Sequence, residues 1–186
     1  FLMCGAIPSL SLSALGRTTT NPVVHAATKS LLFAKEPQEP PPIVYTVAGS
    51  DSGGGAGIQA DLACIRSFGC HGCSAITCLT AQNSVGVTGV HAPPASFLQQ
   101  QLDTLEGDLP PAAVKIGMLG SKELAMTVGT FLQNLKAKNS HKKIWVVLDP
   151  VMISTSGHRL IDEEASQAMM EFIFPAVDIL TPNLYE

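Results

Sequence analysis

The chain has 186 residues, with 11 Lys or Arg against 15 Asp or Glu and a net charge of −4. That length predicts one domain with a real core, and so sparse and slightly acidic a charge set argues against nucleic acid as a partner, because phosphate backbones call for basic patches. No apolar run approaches the roughly 18–20 residues that span a bilayer, so no membrane partner is expected either.

Residues 1–42 read as a leader. No acidic residue precedes Glu36, while Arg17, Lys29, Lys35 and a scatter of Ser and Thr supply an acid-poor, hydroxyl-rich composition. Such leaders are typical of organelle transit peptides. A plastid address is the expectation, with a mitochondrial or cytoplasmic protein, or a leader without any address, as alternatives. Pro40-Pro41-Pro42 closes the stretch as a stiff linker. The first residue is Phe1 and the last, Glu186, falls inside a motif, so both ends read as cut from a longer product.

From Ile43 onward strand-like and helix-like segments alternate. Ile43–Ala48 predicts a strand and Ala56–Phe68 a helix capped by Gly69. Cys73–Leu79 predicts a second strand. Leu98, Leu102 and Leu105 space a helix over Pro94–Leu105. Ala113–Met118 predicts a short strand, and Ser121–Lys136 a helix with Leu124, Val128, Phe131, Leu132 and Leu135 on one face. Ile144–Leu148 is apolar without alternation, as for a strand covered on both faces. Asp162–Phe174 predicts the last helix and Val177–Leu180 the last strand. This order implies an α/β fold with right-handed crossovers and a mostly parallel sheet flanked by helices over residues 43–186.

Ligands in such sheets bind beyond the carboxyl ends of the strands. Gly49-Ser50-Asp51, Thr80-Ala81-Gln82-Asn83, Gly117-Met118, Asp149-Pro150 and Thr181-Pro182-Asn183 each follow a predicted strand, so polar residues should converge on one edge. The run from Gly49 to Asp61 is the most specific. A strand enters a loop with glycines at 53, 54, 55 and 57, and the loop opens into a helix. Its free N–H groups and the helix dipole are expected to favour partial negative charge. Gly57 is followed by Ile58, which rules out a P-loop ending in Gly-Lys-Ser/Thr. The run also matches G-x-G-x-x-A, but no Asp or Glu lies between Asp61 and Asp103 to hold a dinucleotide ribose.

Other residues admit two readings each. Asp61 is a ligand carboxylate or a solvated helix acid. Gln82 offers a donor and an acceptor for the edge of a nitrogen heterocycle, or a strand-end bond to backbone. Cys70 and Cys73 lack the second pair that a zinc site needs and read as structural thiols. The count of five cysteines suggests no disulfide scaffold and, more simply, a reducing compartment. Asp149 could face a metal or phosphate. Asn183 and Glu186 share a face if a helix begins there, an arrangement suited to a hydrated Mg²⁺, although Asn183 also suits an N-cap.

Six pieces in order, AGSDSGGGAGIQAD (48–61), LTAQNSVGV (79–87), VKIGML (114–119), VVLDPVM (146–152), the Ser-Gly of STSG (154–157) and TPNLYE (181–186), resemble the hydroxymethylpyrimidine kinase/phosphomethylpyrimidine kinase family of thiamine biosynthesis. The resemblance covers roughly residues 43–186. It implies a ribokinase-like fold, truncated on its C-terminal side, and phosphorylation of 4-amino-5-hydroxymethyl-2-methylpyrimidine and its monophosphate with ATP and Mg²⁺. Gly49 would lie on the substrate side, Asp61 would bind the hydroxymethyl group, Gln82 would pair with the ring nitrogen and exocyclic amine, and Met118 and Val151 would contact the ring. Asp149, Asn183 and Glu186 would lie on the ATP–Mg²⁺ side, with Glu186 and Asp149 nearest the metal through water. The family's later Gly-Thr-Gly-Cys-type loop, with its anion hole and proposed base, would fall past residue 186, so no catalytic base is assigned and these residues alone are expected to be inactive. A homo-oligomer is expected at full length, and a following thiamine-phosphate synthase domain would fit the plant-type arrangement. A pyridoxal kinase is the related alternative, and a non-catalytic ligand-binding or assembly module is the alternative of a different class.

Overall fold

A computed structural model describes residues 39–151, 161 and 163–183, and residues 41–186 form one compact unit. The predicted leader up to residue 38, the Ser-Gly of 154–157, and Glu186 lie outside the described residues.

Alternating β and α segments build a six-stranded sheet. In chain order the elements are β1 (Ile43–Asp51), α1 (Gly57–Ser67), β2 (His71–Gln82), β3 (Val87–His91), α2 (Ala95–Asp108), β4 (Ala113–Ile116), α3 (Lys122–Lys138), β5 (Trp145–Leu148), α4 (Glu163–Ala168) and β6 (Ile179–Leu180). The strand order is β3-β2-β1-β4-β5-β6. All neighbours run parallel except β2 and β3. The chain therefore leaves β1 in one direction for β2 and later returns to its other side for β4. Such a reversal opens a crevice at the strand ends.

Three departures from the sequence expectation have physical causes. The strand β3 was not foreseen, because its segment is short, contains Gly89, and pairs antiparallel through a hairpin. Asn83 closes that hairpin by accepting N–H bonds from Val85 and Gly86. The expected helix over Asp162–Phe174 is regular only in α4. It widens into a π-helical turn at Met169–Ile173 and tightens into a 3₁₀ turn at Phe174–Ala176, where Pro175 has no N–H to give. Gly129 of α3 lies against this widened turn, and a Cβ there would stand 2.6 Å from the Phe172 carbonyl oxygen. Finally, β5 is not covered on both faces: Trp145 is 51% exposed.

The two faces of the sheet differ. Tyr45, Val47, Val114, Ile116, Val146 and Leu148 point to one side and form a continuous core with Leu98 and Leu102 of α2, with α3, and with Ala165 and Ala168 of α4. The apolar stripe expected of α3 is buried throughout. Tyr45 is fully buried, and its hydroxyl donates to the Leu109 carbonyl at 2.6 Å, tying β1 to the end of α2. Burial above all, with the nearby Cys73 and Glu106 adding to it, pushes its phenol well above the ordinary value. The other face carries Thr46 and Lys115, which are register partners on β1 and β4, and is met by α1.

Candidate active site

A cavity of about 460 Å³ sits at the carboxyl ends of β1, β2, β4 and β5. Gly49, Asp61, Gln82, Met118, Asp149, Val151 and Asn183 all line it. Every described residue singled out as a site candidate thus reaches one space.

The glycine loop is built differently from the expectation. Its N–H groups are not free. Asp51, 6% exposed, turns its carboxylate back into the loop, where Oδ1 accepts from Gly53 N–H at 2.7 Å and Oδ2 from Gly55 and Ala56 N–H at 3.0 and 2.9 Å. The Gly54 N–H donates to the Asp51 carbonyl. The loop is a nest for anions whose anion belongs to the chain itself, placed where the α1 dipole favours it. A D-x-G sequence is the known signal for such a side-chain turn, and Asp51-Ser52-Gly53 carries it. Gln59 fastens the arrangement by accepting from Asp51 N–H and donating to the Ser50 hydroxyl.

Two glycines allow the close approach of loop and strand. Gly57 has φ +57°, and a Cβ there would lie 2.3 Å from the Gly49 carbonyl oxygen, a position that no other residue fills without strain. A Cβ on Gly49 would stand 2.8 Å from the Cys78 sulfur. Cys78 reaches that place because the β1–β2 register shifts between Ala48 and Ser50, a local bulge of the kind that re-aims side chains near sites. Burial pushes the Cys78 thiol up, a contact from Thr77 only partly opposing it, and burial does the same to Cys73. Neither is an activated nucleophile, and for Cys73 this agrees with the structural reading.

Gln82 is held at the end of β2. Its backbone exchanges two hydrogen bonds with the Ser52 hydroxyl, at 2.6 and 2.8 Å. Its side-chain amide lies 3.2 Å from the Thr80 hydroxyl, which is also 2.9 Å from the Ser50 carbonyl. Asp61 also lines the cavity, and its Oδ2 accepts from the Thr46 hydroxyl at 2.6 Å and from Lys115 Nζ at 3.1 Å. Lys115 Nζ also stands 3.7 Å from Asp149 Oδ2. Thr46 and Lys115 were not singled out from the sequence, whereas Thr80 was foreseen only as one of the strand-end polar residues. The lysine left a signal, since a charge inside the short apolar strand Ala113–Ile116 needs a partner.

Residues 51–186 match the family described as phosphomethylpyrimidine kinase. The chain belongs to that family. A hydroxymethylpyrimidine/phosphomethylpyrimidine kinase of Synechococcus elongatus is 45% identical over 145 residues, which is 78% of this chain and 52% of the relative. A crystal structure of phosphomethylpyrimidine kinase from Clostridium difficile superposes with a TM-score of 0.70 at 41% identity, covering 78% of this chain and 60% of that one. The pyridoxal kinase from Staphylococcus aureus in complex with AMP-PCP and pyridoxal follows at a TM-score of 0.63 and 29% identity, covering 78% and 49%. These neighbours share the ribokinase-like fold foreseen from the motifs. The chain spans about half the length of the relatives from Synechococcus elongatus and Haemophilus influenzae, and a third or less of the bifunctional and multifunctional thiamine biosynthesis proteins it matches.

Among the described residues no three His, Cys, Asp or Glu side chains cluster to cage a metal ion. Asp149 and Asn183, both on the cavity wall, offer hard oxygen donors. A carboxylate and an amide of this kind suit an ion that keeps most of its waters and takes its remaining ligands from phosphates.

Proposed function

We propose that the protein phosphorylates the hydroxymethyl oxygen of 4-amino-5-hydroxymethyl-2-methylpyrimidine, and then the resulting monophosphate, using MgATP. The supporting observation is that Asp61 and Gln82 line one cavity from different elements, α1 and β2, in a chain of this family. Asp61, anchored through Oδ2, keeps Oδ1 for the substrate hydroxyl. Gln82 offers an amide donor and acceptor to the amino-pyrimidine edge. Met118, Val151 and the bare backbone of Gly49 take the flat ring. Asp51 occupies the loop N–H groups, which suits that end of the cavity to a neutral heterocycle. Asp149 and Asn183 are assigned to the nucleotide side, where Asp149 would hold Mg²⁺ through water together with Glu186, the partner expected from the motif. When bound, MgATP supplies the phosphoryl group and the charge that steadies it in transfer. Solved neighbours with AMP-PCP and pyridoxal, or with ADP, support the choice of donor.

The test is a steady-state assay of the complete gene product with ATP and either the pyrimidine alcohol or pyridoxal. A higher kcat/KM for the pyrimidine is expected. Faster turnover of pyridoxal would replace the proposal with the pyridoxal kinase alternative. Asp61→Asn and Gln82→Ala are each expected to lower kcat/KM for the pyrimidine by about tenfold or more, as lost polar contacts to a bound substrate do.

A further inference from the structure

We infer that Lys115 is a positioning residue that links the substrate side of the cavity to the phosphate side. Its ammonium lies between two carboxylates from different elements, Asp61 Oδ2 on α1 at 3.1 Å and Asp149 Oδ2 after β5 at 3.7 Å. Among the described residues it is the only Lys or Arg that lines the cavity, while three acids do, Asp51, Asp61 and Asp149. Asp51 is compensated by the loop N–H groups. Asp61 and Asp149 both approach Lys115, the one cation among the described residues that line the cavity.

The placement is built in rather than incidental. Lys115 sits opposite Thr46 in the β1–β4 register, so both side chains rise from the same face beneath α1. Both then donate to the same oxygen of Asp61, and Oδ1 accepts nothing from the described residues. Gly117 leaves the room: a Cβ there would be 3.1 Å from Lys115 Nζ. The lysine side chain is only 25% exposed and that of Asp61 18%, so the interaction is weakly screened.

Two consequences follow from charge. Without the ammonium, two carboxylates would face a polyanionic phosphate donor in a confined, partly dry space, and like charges repel strongly there. The donor's affinity therefore depends on Lys115. Without either Oδ2 donor, Asp61 loses its fixed orientation toward the alcohol. Thr46 contributes only to the second effect, because it carries no charge. Lys115 contributes to both.

The assignment rests on the kinase reading, and the experiment separates the two. The complete gene product and its Lys115→Met, Lys115→Arg and Thr46→Val variants are titrated calorimetrically with AMP-PCP and, separately, with hydroxymethylpyrimidine. Melting temperatures are recorded alongside. Lys115→Met is expected to weaken both ligands, AMP-PCP by about tenfold. Lys115→Arg should recover most of the AMP-PCP loss, and Thr46→Val should weaken the pyrimidine alone. If Lys115→Met melts without cooperativity, Lys115→Gln, which is also uncharged but keeps a polar end and both carboxylates, carries the same AMP-PCP titration. AMP-PCP affinity within twofold of the wild type would overturn the inference, as would a Thr46→Val loss equal to that of Lys115→Met for both ligands. A wild type that binds AMP-PCP but turns over no pyrimidine alcohol would overturn the kinase reading and leave the AMP-PCP comparison standing.

Discussion

Asp51 and Gly49 carry much of the site's geometry, Asp51 without touching a ligand in the proposed scheme and Gly49 through its backbone alone. Gly49 is the sharper test. Its missing Cβ is filled by the Cys78 sulfur, in a core position with nowhere to retreat. Gly49→Ala is expected to cost about 1–3 kcal/mol, the usual range for overpacking. Most of that loss should return in Gly49→Ala/Cys78→Ala, as read by urea denaturation. No recovery in the double variant would place the strain elsewhere. The sequence announced the glycine loop, Asp61 and Gln82 through residue type and spacing. For what the loop would hold it offered only Asp51, two residues before Gly53, as a hint. A loop's N–H groups look free until a side chain is seen to fold back onto them, and that choice belongs to the local turn, not to the glycine count. Lys115 was hidden for another reason: its two partners come from 54 residues before it and from the end of the next strand.

At the scale of the elements, β5 and β6 are fastened by one carboxylate. Asp178 accepts from Val146 N–H at 2.9 Å and from Lys136 Nζ at 3.2 Å, and it pairs with Lys143. Burial by itself would raise its carboxyl, but the bonds from Lys143, Val146 and Lys136, with the Lys136 charge, outweigh burial and hold it below the ordinary value. A carboxyl depressed in the folded state stabilises above its unfolded value of about 3.9, and that contribution fades as the pH falls through the lower folded value. The melting temperature should therefore drop on acidification below about pH 4, and Asp178→Asn should lower it at pH 7 while shrinking the drop. An unchanged acid slope in the variant would exclude Asp178 as a source of it. The helices and the parallel strands were legible because their apolar spacing is long and regular, α3 most of all. The hairpin strand β3 and the uneven turns after α4 were not. Short segments carry little periodicity, and the π-helical turn packs against Gly129, which lies far off in sequence.

For the molecule as a whole, the unequal faces of the sheet dominate. Three helices share the core on one side, whereas α1 lies over β1 and β2 on the other. Toward β5 and β6 that second side is thinly covered: Trp145 is 51% exposed and Ile179 45%. Trp145 is the sole tryptophan, with Lys143 Nζ 4.8 Å from its ring centroid. A polypeptide of these 186 residues should thus show water-shifted tryptophan emission that acrylamide quenches readily, and it should bind a hydrophobic dye. Protected, blue-shifted emission would mean that this face is covered in solution. The expectation that β5 is enclosed failed here because an unbroken apolar run states what a strand could bury, not whether a helix arrives to cover it. The same asymmetry matters for anyone wishing to engineer the protein. Thermal robustness can be sought by repacking the three-helix side, and ligand preference by altering the α1 side, with a sheet's thickness insulating one effort from the other.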